Sequence, residues 1–232
     1  MREIVKRENR TAEEEEYYSL VRRAFAALAP FYDIVTAPFS IIRHKVATFA
    51  DVGNGSRILD VATGTGKQAF AFAKMGHEVV GVDLSEAMLK VANKNNRYPN
   101  GKFQVADAIK LPFADESFDA SCISFALHDM PLSIRERALK EAVRVTKPKG
   151  TIVIVDYALP RNRIGRCLVY QLVKVYERYY YPEFIRSDLK ALLRESGIQI
   201  TGELPVLLGT ARMLKGIKRD GPHGYERSEG SE

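Results

Sequence analysis

The amino-acid sequence predicts an α/β fold in which helices cover both faces of a mostly parallel, seven-stranded sheet. Three features support this prediction. Several segments, such as RILDVA at 57–62 and TIVIVDYA at 151–158, are almost continuously apolar, as expected for strands buried on both faces. Segments with helical spacing alternate with these strands, which is typical of crossover helices. A glycine turn directly follows the first strand and opens a helix.

Strands and helices alternate regularly in the central part of the chain. We predict strands at 57–62, 77–83, 102–107, 118–127 and 151–158. Residues 64–75 are predicted to be a loop that leads into a helix, and further helices are predicted at 85–96 and 134–146. Ser85 is a suitable N-cap for the helix at 85–96. The sequence Lys-Pro-Lys-Gly at 147–150 predicts a turn before the fifth strand. This order is that of a doubly wound, Rossmann-like fold.

Helical segments flank this central part. Apolar spacing predicts helices at 20–31 and 41–49, which would form an N-terminal helical lid within residues 1–50. The remaining core domain, 51–216, contains a long Tyr-rich helical stretch that the sheet does not need, so we predict a helical insertion at 160–186. A helix at 187–196 and two strands at 197–204 and 205–214 would complete the domain. Residues 217–232 are predicted to be a disordered tail.

The glycine turn carries the first indication of chemistry. Gly64 and Gly66 allow a tight turn that approaches a ligand closely. Asp83 ends the next strand, 19 residues after Gly64, and a carboxylate there can accept the ribose hydroxyls of a nucleoside. The glycine spacing also fits NAD-binding proteins. Asp60 favours S-adenosylmethionine, because its carboxylate would repel a pyrophosphate but suit the ammonium of a methionine moiety.

Two further segments end at the same predicted edge of the sheet. Asp107 and Ala108 follow the third strand, where the carboxylate can accept from the exocyclic amine of adenine and the small Ala108 leaves room for the ring. Residues 124–129 end the fourth strand and should face the cofactor. Ligands of open α/β sheets bind at the carboxyl ends of the strands, so these residues are expected to converge.

Four segments, in their order and spacing, resemble a known family. ILDVATGTG, VVGVDLSEAML, ADAIKLPFADESFD and RVTKPKGTIVIVD are similar to the class I S-adenosylmethionine-dependent methyltransferases. Residues 29–33 (APFYD) and LPFADESFDASCISFAL resemble the branch of ubiquinone and menaquinone biosynthesis, of the methyltransferase type 11 kind. The resemblance implies an enzyme with S-adenosylmethionine as cofactor and S-adenosylhomocysteine as product. No metal site is expected, because the sequence has no clustered His/Cys spacing for zinc.

The resemblance also implies roles for particular residues. Asp60, Gly64 and Gly66 would hold the methionine end of the cofactor. Asp83 and Leu84 would hold the ribose, and Asp107 and Ala108 the adenine. The remaining cofactor-site residues in this expectation are Ala62, Thr63, Met88 and Ser124.

Three residues are candidates for catalysis. The quinone enzymes typically have an Arg-Asn pair after the fourth strand, whereas this chain has His128-Asp129. His128 can act as a general base near neutral pH or orient a phenolate. The alternative is that His128 only caps the following helix or contacts the cofactor. Tyr32 would lie in the lid and order the methyl acceptor.

The charge distribution bears on the acceptor. The chain carries a net charge of +6, and residues 159–219 hold twelve Lys/Arg against five acids, so this segment alone is +7. It is either a solvated basic face or a surface for anionic lipid or an acidic substrate. The stretch 164–181 is likewise either a cap packed on the core or an interfacial helix with a basic rim.

These observations favour a small or lipophilic acceptor, first a prenylated quinone precursor and second a phospholipid amine. A nucleic-acid acceptor is disfavoured, because no recognised binding module accompanies the basic segment. The two cysteines and the charged first residues predict a cytoplasmic protein without a signal peptide. Peripheral contact with a membrane and a homodimer are left open.

Overall fold

The computed structural model describes residues 10–160, 162–176 and 179–219. A seven-stranded sheet has the order β3-β2-β1-β4-β5-β7-β6. Among the strands described, β7 runs antiparallel to both of its neighbours, β5 and β6, and the other pairs are parallel. The strands are β1 (Arg57–Val61), β2 (Glu78–Asp83), β3 (Gly101–Val105), β4 (Phe118–Ser124), β5 (Thr146–Tyr157), β6 (Ile198–Val206) and β7 (Ala211–Lys218). The predicted fold class is therefore confirmed.

Helices flank and connect these strands. They are α1 (Ala12–Leu28), α2 (Tyr32–Val35), α3 (Ser40–Ala50), α4 (Lys67–Lys74), α5 (Glu86–Asn95), α6 (Leu132–Val145), α7 (Arg163–Tyr176), α8 (Tyr181–Phe184) and α9 (Leu189–Glu195). Short 3₁₀ turns occur at Ala37–Phe39, Leu127–Asp129 and Leu207–Gly209. The second of these turns carries the His128-Asp129 pair at the end of β4.

The core consists of two apolar clusters on opposite faces of the sheet. Side chains alternate along each strand, so Val153 and Val155 join one cluster while Ile152 and Ile154 join the other. The first cluster contains residues of α3 and α4, and the second contains residues of α1, α6 and α9. Burial on both faces explains why the strands read as apolar runs.

The N-terminal helix begins earlier than the sequence pattern predicts, at Ala12 instead of residue 20. The Thr11 hydroxyl caps it by accepting from the Glu14 amide at 3.2 Å. Glu14 is itself buried, and its carboxylate accepts a hydrogen bond from Ser133 at 3.0 Å. The acidic run is therefore the first turn of a helix, where carboxylates interact favourably with the helix dipole.

Ile42 and Val46 of α3 are buried in the core cluster with residues of α4, so this helix packs against the core of the domain. Two boundaries differ from the predictions. The predicted turn 147–150 lies inside β5, as an irregularity in its pairing with β4. β7 covers 211–218 instead of 205–214; the predicted tail therefore starts inside it, and 220–232 lie outside the described residues.

Candidate active site

Two adjoining cavities open at the carboxyl edge of the parallel strands. They lie where the strand order reverses, between β1 and β4, which is the usual ligand position in such sheets. The larger cavity has a volume of about 420 Å³ and the smaller about 70 Å³. Residues lining both include Tyr32, Ala62, Gly64, Phe125 and Asp129. The two cavities therefore form one cleft with two compartments.

The turn after β1 is built around Asp83. The Gly64 amide donates a hydrogen bond to one Asp83 carboxylate oxygen at 2.8 Å, and the Ser85 amide donates to the other at 2.8 Å. Burial raises the pKa of Asp83. Gly64 has φ = 56° and Ala62 has φ = 54°, so the chain turns through the left-handed region twice within three residues. This conformation favours glycine at 64.

The polar end of the larger cavity contains Asp60. This carboxylate is buried and accepts a hydrogen bond from the Thr63 hydroxyl at 2.5 Å. Burial raises its pKa to about 7. The Gln68 side-chain oxygen in the same cavity is buried with no hydrogen-bond partner among the described residues, and Arg43 also lines this cavity. A buried carboxylate, an unpaired amide oxygen and a guanidinium together suit a zwitterion with an ammonium and a carboxylate.

The smaller cavity brings together the residues predicted for the ribose and the adenine. Leu84, Met88, Asp107 and Ala108 line it together with Asp83. Met88 is buried, so one wall of this compartment is apolar. The Arg10 guanidinium lies 3.9 Å from the Asp107 carboxylate, and Tyr17 of α1 also lines the cavity. Helix α1 therefore covers this compartment from above.

Gly66 is the exception among the predicted cofactor residues, because it lies outside the lining of both cavities. Its φ is 79°, and a Cβ built there would come within 2.8 Å of the Phe103 ring. Gly66 is therefore a packing glycine that lets α4 start close to β3. The other predicted positions, Asp60, Ala62, Thr63, Gly64, Asp83, Leu84, Met88, Asp107, Ala108 and Ser124, all line the cleft.

The predicted catalytic residues meet at the larger cavity, which His128, Asp129 and Tyr32 line together. The His128 ring is buried, and its Nδ1 lies 2.7 Å from Asp156 Oδ1. Its Nε2 lies 3.5 Å from Asp129 Oδ2. Asp156 also accepts from the His128 and Tyr157 amides, at 3.2 and 2.8 Å. The Asp156 carboxylate thus holds the ring so that Nε2 is on the cavity side.

The N-terminal segment is bound to the glycine turn through Asp33. The Thr65 hydroxyl donates to Asp33 at 2.6 Å, and Lys67 Nζ lies 2.9 Å from the same carboxylate. A Cβ on Gly64 would lie 3.8 Å from the Tyr32 ring. Tyr32 and Asp33 therefore lie against the glycine turn.

The sequence did not single out Asp156, Arg43 or Gln68. Asp156 was visible as the one acid in the apolar run of β5, and a charge in a buried strand needs a partner. Arg43 and Gln68 carried no such signal, because each lies on an ordinary amphipathic helix. Their convergence depends on the packing of α3 against α4.

Comparison with known proteins agrees with this geometry. Residues 59–154 match the family model described as a methyltransferase domain. A demethylmenaquinone methyltransferase of Paenarthrobacter aurescens is 41% identical over 74% of this chain and 64% of its own length. A demethylmenaquinone methyltransferase of Geobacillus kaustophilus is 34% identical over 86% of this chain and 97% of its own.

A solved structure shares the fold at low identity. It is a Burkholderia thailandensis 1,6-didemethyltoxoflavin-N1-methyltransferase with bound 1,6-didemethyltoxoflavin and S-adenosylhomocysteine. The TM-score is 0.68 at 18% identity, over 92% of this chain and 93% of that one. Among the curated relatives, this chain covers only about three fifths of the length of several, for instance 60% and 61%.

The fold, the cleft and these relatives define a class I S-adenosylmethionine-dependent methyltransferase, and the chain belongs to that family. Within it, the chain is similar to the demethylmenaquinone methyltransferases, the branch that the sequence motifs predict.

Proposed function

We propose that this protein transfers a methyl group from S-adenosylmethionine to a lipophilic aromatic acceptor, a demethylated and prenylated quinone precursor in its reduced form. The observation that carries the proposal is the apolar part of the larger cavity, directly beside the polar end at Asp60. Its walls come from one side of α1, from the segment before α3 and the first turn of α3, and from the end of β4. They include Leu20, Phe25, Leu28, Phe39, Ile42 and Phe125.

The residues of the cleft fit the proposed cofactor. Arg43 and Asp60 would hold the carboxylate and ammonium of its methionine part, and Asp83 and Asp107 would hold the ribose and the adenine. When bound, S-adenosylmethionine supplies an electrophilic methyl group on a positively charged sulfur. Closure of the lid through Asp33 and Thr65 excludes water from this compartment, which strengthens each charge interaction inside it.

His128 is our proposed general base. A ring carbon of a hydroquinone becomes nucleophilic when the neighbouring hydroxyl loses its proton, and Nε2 is on the side of the cavity to accept that proton. After the carbon has received the methyl group, its own hydrogen would leave as a proton and the oxygen would regain one, which restores the aromatic ring. Asp156 acts as a positioning residue, because accepting from Nδ1–H selects the tautomer in which Nε2 carries no proton. The same division of roles operates in serine hydrolases, where an aspartate orients the histidine.

The other predicted acceptors gain no support. The Geobacillus kaustophilus relative, which this chain matches over 97% of its length, is named for a quinone acceptor and not for a phospholipid amine. The similarity to demethylmenaquinone methyltransferases also favours an acceptor with a prenyl tail. Such an acceptor would reside in a membrane. We therefore propose a cytoplasmic enzyme that works at the membrane surface; a homodimer stays a prediction.

The test is methyl transfer from radiolabelled S-adenosylmethionine. The acceptors are chemically reduced demethylmenaquinone with a short prenyl tail, the same compound oxidised, phosphatidylethanolamine vesicles and RNA. We expect label in the reduced quinone alone, on carbon. Label confined to phosphatidylethanolamine or RNA would contradict the proposed acceptor, while label in none of the four would contradict the activity on these substrates.

A further inference from the structure

A groove of about 1150 Å³, lined mainly by apolar residues and called the apolar groove below, lies next to the active-site cleft. Large apolar side chains stand exposed along it: Ile41 is 71% exposed, Leu204 42% and Leu208 100%. Ile42 lines both this groove and the larger cavity, so only the first turn of α3 separates the two. The groove is therefore a neighbour of the acceptor compartment.

The loop that presents Leu208 has an unusual backbone. Leu207 has φ = 50° and Leu208 has φ = 57°, in the region that favours glycine over bulky residues. The loop joins β6 to β7, and Leu208 extends entirely into solvent. An apolar side chain held outward on a strained backbone is typical of a functional contact, since neither burial nor backbone preference explains it.

Basic side chains continue the surface on one side. Leu159 and Ile185 line both the apolar groove and a second groove. Arg163, Arg166 and Arg186 line that second groove. The surface is thus apolar at Leu208 and cationic at α7, the combination that binds anionic headgroups and acyl chains together.

The charges of the apolar groove agree with this. Lys45 and Arg212 line it, and its carboxylate, Glu203, is paired with Lys190 at 2.5 Å. The excess of positive charge found by sequence in 159–219 therefore lies partly on this surface. No helix within 10–160, 162–176 and 179–219 has the length and apolar character needed to cross a bilayer.

We infer that this surface, formed by Ile41, Leu204, Leu208, Arg163, Arg166 and Arg186, docks the protein on an anionic lipid bilayer. Leu208 enters the interfacial region, and the three arginines contact the headgroups. Docking there brings the first turn of α3, and hence the larger cavity, to the membrane. The biological purpose rests on the proposed lipophilic acceptor, but the docking itself does not depend on it.

Helix α7 provides a matched control. Leu168 and Leu172 are 65% and 69% exposed, as apolar and accessible as the proposed docking residues. At 100° per residue they lie on the side of α7 opposite Arg163 and Arg166. The apolar face predicted for this helix and its basic side are therefore separate, and Leu172 tests whether any exposed leucine would serve.

The experiment is co-flotation of the full chain with vesicles of phosphatidylcholine alone or of an equal mixture with phosphatidylglycerol. We expect binding to the anionic vesicles only, weakening as salt is added. Leu208→Asn, which suits positive φ, should lower the partition coefficient by about tenfold, equivalent to about 1.4 kcal/mol. Charge reversal at Arg163 and Arg166 should lower it similarly, and Leu172→Asn should leave it within about twofold.

Leu208→Gly is the second variant, since glycine relieves the strained backbone while removing the side chain. Its thermal midpoint should be no lower than that of the wild type. Absence of binding to anionic vesicles, or unchanged binding by both Leu208 variants, would overturn the inference. Cofactor titration and methylation of a detergent-dispersed acceptor serve as separate readouts. They should be unchanged in the Leu208 variants, and their failure in the wild type would count against the proposed function alone.

Discussion

Thr65 of the glycine turn donates a hydrogen bond of 2.6 Å to Asp33 of the N-terminal segment, 32 residues earlier in the chain. The bond connects the turn that would carry the cofactor to the segment that covers it. Lys67 strengthens it as an ion pair with the same carboxylate at 2.9 Å. Because the contact joins these two segments directly, we expect it to help hold the N-terminal segment over the glycine turn.

Replacing Asp33 should therefore weaken cofactor binding. For Asp33→Ala we expect a dissociation constant for S-adenosylmethionine about tenfold higher, the size of one lost charge-assisted hydrogen bond. Calorimetric titration measures it, and hydrogen exchange should show reduced protection of α1. Thr48→Val is the control, because its hydroxyl bonds to the His44 carbonyl in its own helix. Equal affinity of Asp33→Ala and wild type would show that the lid closes without this contact.

Asp60 should make cofactor binding depend on pH. Burial raises its pKa to about 7, so between about pH 5 and 7 the empty protein holds a proton there that a bound ammonium would displace. Affinity should therefore rise with pH in that interval, by up to about tenfold per unit. Titrations in buffers of different ionisation enthalpy count the proton released. Asp60→Asn should bind weakly at every pH, and a wild-type affinity that stays constant would contradict the assignment.

The same raised pKa has a consequence for stability. The folded protein binds the Asp60 proton more tightly than the unfolded chain, whose carboxyl titrates near 3.8. The favourable contribution is complete below that lower value and is lost as pH rises through about 7. In the cofactor-free protein, Asp60→Asn should therefore raise the thermal midpoint more at pH 8 than at pH 4. If Asp60→Asn raised the thermal midpoint equally at the two pH values, this would contradict a raised pKa of Asp60 in the folded protein.

His128 and Asp156 should act together in the methyl transfer. We expect His128→Gln to lower kcat by about 10²–10⁴, the usual range for a general base. Asp156→Asn should lower kcat while leaving KM nearly unchanged, because it disturbs the tautomer and not the cavity wall. His44→Gln, on the exposed side of α3, is the control.

Assays with an acceptor whose ring hydroxyl is more acidic can distinguish a general base from a structural residue. Such an acceptor needs less help in losing its proton, so the defects of His128→Gln and Asp156→Asn should shrink together. A purely structural role predicts the same loss with every acceptor. A double variant about as slow as His128→Gln alone would show that the two residues work as one unit.

Gly66 and Gly81 both lie against the Phe103 ring, which would be 2.8 and 2.6 Å from a Cβ added at each position. Gly66 also has φ = 79°. We expect Gly66→Ala to lose about 2–4 kcal/mol, from overpacking and positive φ combined. Gly81→Ala should lose only the overpacking part. Urea unfolding measures both. Phe103→Leu should restore much of the loss in Gly81→Ala and less in Gly66→Ala; equal restoration would mean that φ contributes nothing.

The sequence alone identified the sheet, the glycine turn and the acids at three strand ends. Each of these depends on local pattern: apolar runs within single strands, a glycine after a strand, and a carboxylate where a strand stops. Such patterns can be recognised from the sequence, because they involve only residues that are close to one another along the chain. The family motifs added the order and spacing that joined these pieces into one cleft.

Tertiary structure decided what depends on contacts between distant residues. His128 meets Asp156, 28 positions later, because β4 and β5 lie side by side. Gly66 packs outside the cleft lining, because Phe103 of a different strand occupies the space beside it. Leu208 points outward because of two backbone angles that no composition reveals. Hydrophobic periodicity in the sequence indicates which residues are buried. Strand pairing and backbone φ angles decide which residues come into contact.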